Sequence, residues 1–355
     1  MIAHAAPSPF AFHLAVRPFA ADVPPTMTRL TVERQQVWIY LAAIAAGLAL
    51  GSALPALAPA FETLLWPALA LLLYVTFVQV PLLHLRDAWR DRRFVAAVVV
   101  GNFVLVPLAV WALLHTLPDD APLRLGVLLV LLVPCTDWFV TFSALGGGNV
   151  PRAVTVTPLN LLLQVLLLPA YLWLMSGPGT DHGLLAAFSP AVLAPALAIV
   201  GVPLAAAALT ERWVEARAAR EVWRERAAWL PVPLLALVVL LIAGAQVGAL
   251  GTALPQLLGV VPLFVAYLVV AAAIALALAR ALRLPADQGR TLAFGLGTRN
   301  SFVVLPLALA LPAGWEMTAM VIVVQSLVEL LGMLVYLWWM PSVFRPRGGS
   351  GPRRS

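Results

Sequence analysis

A hydrocarbon core about 30 Å thick requires about 20 consecutive, mainly apolar residues for each helix that crosses it. This chain meets that requirement ten times, at roughly 35–57, 62–84, 94–116, 122–145, 150–174, 184–209, 228–249, 255–282, 287–311 and 314–341. One soluble core cannot absorb ten such stretches in 355 residues. Hydrophobic residues make up 62% of the chain, charged residues only 11%, and the mean hydropathy is +0.96. The pattern predicts an all-α polytopic membrane protein.

The basic residues give an independent reading of topology. All 22 are arginine, and positive charge accumulates in cytoplasmic loops. With both termini cytoplasmic, 20 of the 22 fall on that side, chiefly in the terminal tails and around residues 86–93, 212–226 and 280–290. Arg124 alone lies on the opposite face, among acidic residues such as Glu62, Asp119, Asp120, Asp181 and Glu316. An odd number of spans would scramble this partition. The same asymmetry accounts for a pI near 10.4 without nucleic acid as a partner, and it predicts a multi-pass protein of the cell membrane.

Residues 1–34 lack both helical periodicity and the basic-then-apolar order of a signal peptide, and are expected to be a disordered cytoplasmic tail, with Met27 as an alternative start. Residues 342–355 form a basic cytoplasmic tail. Residues 35–341 are expected to form one ten-helix membrane domain, in halves at 35–175 and 184–341. Between spans six and seven, ERWVEARAAREVWRERAAW (211–229) reads as a cytoplasmic helix in the membrane interface. Five spans precede this connector and five follow it. Five is odd, so the second half enters from the opposite side, a 5+5 inverted repeat.

Soluble-enzyme chemistry has no foothold in this chain. A single cysteine excludes an internal disulfide and any multi-thiolate metal site, and the five histidines lack HExxH spacing. No metal or cofactor is expected.

Two spans look interrupted, at the same place in each half. Span four reads LVPCTDWFVTF, where Pro134 removes a helix hydrogen bond and Asp137 follows; span nine reads GLGTRNSFVV, with Gly295, Gly297 and Arg299 to Ser301 at its centre. Irregular backbone at membrane depth is tolerated only where it is buried in protein or lines a cavity. Paired broken helices in inverted halves mark the midplane site of a transporter. A charge at that depth costs at least about 2.5–3.5 kcal/mol, so Asp137 and Arg299 each need a partner. If the two breaks cross, Asp137 can balance the positive half-helix N-termini and Arg299 the negative C-termini. The alternative role is stabilisation of the crossing without substrate contact. A sodium ion about 5 Å from the guanidinium would be repelled by roughly 3 kcal/mol at an effective dielectric near 20, which disfavours Na⁺ there.

Three further features stand out. Glu329, in VVQSLVELLG of span ten, has no basic residue one turn away, and Gln325 shares its face. A carboxyl at depth that takes up and releases a proton is what a proton-coupled carrier needs; a permanently protonated structural acid is the alternative. Cys135, beside the first break with Thr136 following, offers a soft ligand for thiophilic species such as trivalent arsenic or antimony, although a lone cysteine is more often an apolar filler. Asn102, Asn160, Gln164 and Gln246 read as interhelical hydrogen bonders. Trp38, Tyr40, Tyr171, Trp173, Tyr336, Trp338 and Trp339 read as interface anchors.

These residues together resemble the bile acid:sodium symporter superfamily, and within it the arsenite-efflux permeases. VPCTDWFVTFSALGGGN followed by VTPLNLLLQ is similar to the Pro-Cys-Thr span four and asparagine-bearing span five of those permeases. The resemblance implies ten spans with cytoplasmic termini, crossed broken helices four and nine in a sodium/proton-antiporter-like fold, and arsenite extrusion in exchange for protons. It assigns Cys135 as the functional cysteine, Glu329 as the glutamate of the last span and Asn300 as the asparagine of the second break. Asp137 departs from the small neutral residue usual there, and Arg-Asn-Ser-Phe replaces a neutral segment. The sequence reading therefore places Cys135, Thr136, Asn300 and Ser301 on a metalloid or oxyanion substrate, Glu329 on the proton, and Asp137 with Arg299 at the crossover. Uptake of an organic anion, received by Arg299 and half-helix N-termini, is the competing class.

Overall fold

The computed structural model describes residues 29–80, 91–136, 138–175 and 190–345. Asp137 and the two terminal tails, 1–28 and 346–355, lie outside the described residues. Every regular element within them is helical: α1 (Arg29–Ala53), α2 (Ala58–Val78), α3 (Arg92–Val100), α4 (Val106–Leu114), α5 (Ala121–Leu131), α6 (Trp138–Leu145), α7 (Val150–Met175), α8 (Pro190–Glu215), α9 (Glu221–Ala227), α10 (Pro231–Ala245), α11 (Val247–Ala281), α12 (Ala286–Gly297), α13 (Ser301–Leu309) and α14 (Glu316–Val343). Six helices among the described residues are long and apolar enough to cross a membrane. The protein is a polytopic α-helical membrane protein. α5, α6, α12 and α13 have 11, 8, 12 and 9 residues, and none alone reaches the length of about 20 that a crossing requires.

The helices pack as two groups. One is α1, α2, α8 and α10, with α1 on α10, α10 on α2, and α2 on α8. In the other, α14 packs on α5, α11 and α13, α11 on α12, and α12 on α6. α13, against α2 and α8, bridges the two, with lighter contacts of α1 on α11 and α14 and of α10 on α11. Within the first group α1 and α10 approach at backbone distance. A Cβ on Gly47 would lie 2.3 Å from Leu240 O, and one on Gly51 would lie 2.3 Å from Gly244 O. These glycines are four residues apart, on one face of α1, the spacing that allows close helix approach in lipid.

The structure redraws three local expectations. Residues 29–34, assigned to the tail, are helical and begin α1. The connector 211–229 is divided, not one helix: its first residues complete α8, where Glu211 is buried, then a 3₁₀ turn at Ala218–Arg220 leads to α9. Tyr40, Tyr171 and Tyr336 are not interface anchors. Tyr40 is buried and stacks on Trp138, Tyr336 donates to Leu268 O, and Tyr171 donates to Phe103 O at 2.6 Å.

The reason for the Tyr171 bond lies in Pro107. A proline has no N–H for the carbonyl four residues back, here Phe103 O, and the Tyr171 hydroxyl takes the vacated acceptor. Just before it, residues Gly101–Leu105 form a π-helical segment joining α3 to α4. Such a bulge alters the direction of the side chains it carries, and it places Asn102 in the interior against Arg299.

Candidate functional site at the crossing of two broken helices

The two breaks meet. Pro134 and Arg299 form an antiparallel β-bridge, with Cys135 N–H donating to Thr298 O at 3.3 Å and Asn300 N–H to Val133 O at 2.8 Å. Each bond diverts an amide from its own helix, and a third, Arg299 N–H, is diverted to the Glu329 carboxylate. In an unbroken helix Cys135 N–H would serve Leu131 O, while Arg299 and Asn300 would serve Gly295 O and Leu296 O. Three buried carbonyls are thereby orphaned at the C-terminal ends of α5 and α12, where the helix dipoles also place negative charge.

The Arg299 side chain answers all three. Its guanidinium donates to Leu131 O at 3.4 Å, Gly295 O at 3.2 Å and Leu296 O at 2.6 Å, and to Asn102 Oδ1 at 2.8 Å. The Tyr267 ring lies 5.5 Å from its Cζ, within cation–π range, and the Tyr267 hydroxyl also donates to Leu296 O. Arg299 is 2% exposed. Both terminal nitrogens of the cation are engaged inside the protein, on three backbone oxygens and the Asn102 side chain.

Glu329 enters from α14. Its Oε2 accepts the backbone N–H of Arg299 at 2.8 Å and Gln325 Nε2 at 2.7 Å. The Gln325 oxygen accepts from Ser301 Oγ at 3.1 Å, and Ser326 Oγ donates to Ser301 Oγ at 2.8 Å. Asn300 caps α13, its Oδ1 accepting from Val303 N–H, and its Nδ2 donates to Thr136 Oγ1 at 3.0 Å. One polar chain thus runs from Thr136 through Asn300 and Ser301 to Gln325 and Glu329. Replacing Asn300 by alanine removes both a cap and a buried partner of Thr136. We expect a loss of about 1–2 kcal/mol, read as a lowered melting temperature in detergent.

Of the residues singled out from sequence, the structure brings Thr136, Arg299, Asn300, Ser301 and Glu329 into direct contact through side chain or backbone, with Cys135 beside them, 2% exposed. Asp137 lies outside the described residues. Asn102 reads from sequence only as an interhelical hydrogen bonder, because nothing in the chain ties it to an arginine 197 positions away. Gln164, on α7, is buried with neither amide atom partnered among the described residues.

A cavity of about 180 Å³ reaches the crossover from one side, between α1, α2 and α10 and the facing α6 and α7. Gln36, Thr76, Gln79, Thr136, Thr141 and Thr157 supply its polar walls. A second cavity, about 250 Å³, lies among Glu62, Trp66, Gln246, Pro312 and Glu316, and no crossover residue lines it. Ser301 and Ser326 border a void of about 20 Å³, which Tyr40 and Trp138 also line. Those two rings stack at 6.2 Å and 8°.

Comparison with known families bears on this arrangement. The Sodium Bile acid symporter family profile matches residues 66–253, more than half of the chain. The chain belongs to that family. It is therefore a membrane transporter for a small molecule, and the match takes in the first break with Cys135 and Thr136. The second break and Glu329 fall beyond the matched residues of this family member. No curated protein matches the chain in sequence.

Proposed function

We propose that the protein is a secondary active carrier that extrudes arsenite or antimonite in exchange for inward-moving protons. Joining α5 to α6 and α12 to α13 across their breaks, with α1 and α8, raises the six long helices to ten spans in a 5+5 inverted repeat, both termini cytoplasmic. On that topology the 180 Å³ cavity opens to the cytoplasm.

The observation that carries the substrate assignment is that cavity. It ends on Thr136, next to the only cysteine of the chain, and is well below the roughly 300–1,000 Å³ typical of sites for drug-sized ligands. Its size suits a hydroxylated metalloid. The Cys135 thiol would displace one hydroxyl of the metalloid as water, forming a single sulfur–arsenic bond that a returning water reverses. Glu329, inside the hydrogen-bonded chain, carries the proton. Alternating access follows from movement of the group containing α5, α6, α12 and α13 against the group containing α1 and α10.

Expression in an arsenite-hypersensitive host is the deciding experiment. The wild type should restore growth in arsenite and Cys135→Ser should not, with equal amounts of both in the membrane. Equal protection by the variant sinks the metalloid assignment.

A second reading, uptake of an organic anion, is favoured by one observation: the N-terminal ends of α6 and α13 both border cavities, and N-termini attract anions. Since the Arg299 guanidinium is committed to carbonyls, the anion would meet Thr136 and Ser301 instead. That reading predicts accumulation of labelled carboxylate or sulfonate in vesicles, indifferent to thiol reagents.

A further inference from the structure

We infer that the pocket between the C-termini of α5 and α12 is a monovalent-cation site that the protein fills with its own Arg299 side chain, so the crossover takes up no sodium. The inference stands on the crossover geometry and leaves the substrate open.

Four oxygens surround the guanidinium: Asn102 Oδ1, Gly295 O and Leu296 O lie 2.6–3.2 Å from one terminal nitrogen, and Leu131 O lies 3.4 Å from the other. None carries a formal charge, and three are main-chain carbonyls released by the two breaks. Unwound carbonyls and half-helix C-terminal ends are the chemistry with which transporters hold a small cation at the midplane. Here the same chemistry surrounds a cation that is covalently tethered to the chain and cannot leave.

The fit is one of charge, not of hydrogen bonding alone. Nε has no partner among the described residues, so the site does not satisfy a guanidinium in full. The face of Tyr267 lies 5.5 Å from Cζ, where a ring attracts any cation. The acceptors come from three separate segments, α5, α12 and the π-helical turn carrying Asn102, so the charge ties them together. A mobile ion doing this would couple its own gradient to the crossing. A tethered one leaves the coupling to another group.

The test uses purified full-length protein in detergent, with ionic strength held constant by choline chloride. Wild type should show no saturable binding of radiolabelled sodium, and its melting temperature should not change when sodium replaces choline. Arg299→Ala should melt lower in choline and recover in a saturable way on titration with sodium or with guanidinium chloride at millimolar concentration. Saturable sodium binding by the wild type overturns the inference, as does a folded Arg299→Ala that responds to neither cation. Should Arg299→Ala not fold, Arg299→Lys and Arg299→Met decide. Lysine keeps the charge and should retain the monodisperse fold, whereas methionine, similar in length but neutral, should not. A methionine variant as stable as the lysine one would show that the pocket does not select a cation. Arsenite resistance plays no part in these readouts, so failure here and failure of the metalloid assignment remain separate.

Discussion

Glu329→Gln should abolish transport driven by a pH gradient while leaving the crossover folded and able to exchange substrate for substrate. The geometry makes the substitution clean. Glu329 Oε2 accepts two hydrogen bonds, from Arg299 N–H and Gln325 Nε2, and a glutamine carbonyl oxygen in the same place accepts both. What glutamine cannot do is gain and lose a proton. Retention of both bonds should hold stability within about 1 kcal/mol of wild type. In proteoliposomes the wild type should move arsenite against its gradient when protons run the other way, and the variant should only equilibrate it. Counterflow of labelled against unlabelled substrate requires no net proton movement and should survive. A variant that still concentrates substrate in response to a pH gradient would place the coupling group elsewhere. Loss of counterflow together with coupling would mean that the residue holds the crossing together instead.

Much of this site was legible in the chain because membrane burial makes polar residues costly. Pro134 and the Gly295–Ser301 run marked both breaks, and Arg299 at depth required partners. Which partners was not legible, since carbonyls freed by a break are invisible as residue types. Leu131, Gly295 and Leu296 look like ordinary apolar positions, and their oxygens matter only because Cys135, Arg299 and Asn300 turn their amides away. The tyrosines failed for a related reason. Position near a span end is the signal for an interface anchor, but Tyr171 is drawn inward by the carbonyl that Pro107 leaves unserved. The connector at 211–229 misled because mixed charge and tryptophan resemble an interfacial helix, while the burial of Glu211 shows that its first turn still belongs to α8.

The contact between α1 and α10 has only a faint sequence signal. Gly47 and Gly51 are two of 23 glycines, and their spacing of four is shared by Gly179 with Gly183 and by Gly244 with Gly248. Their replacement should be among the most damaging in the protein. A Cβ at either position would fall 2.3 Å from a main-chain oxygen, Leu240 O or Gly244 O. Side chains can rotate away from such a clash, but a helix backbone cannot, so α1 and α10 must separate. Even Gly47→Ala or Gly51→Ala should cost about 1–3 kcal/mol by overpacking, and leucine at both should leave no folded protein after extraction. Gly201 supplies the control. It lies in α8, where an added methyl group would meet nothing within 4 Å, and alanine there should be neutral or stabilising by up to about 1 kcal/mol through helix propensity. Thermal melting of the single-alanine variants in one detergent checks the contrast directly. If Gly51→Ala melts with Gly201→Ala, the two helices are not held at backbone distance. The consequence for function follows from the packing: α1 and α10 form the wall of the cavity that ends on Thr136, so forcing them apart opens a leak path beside the crossover before it unfolds the rest.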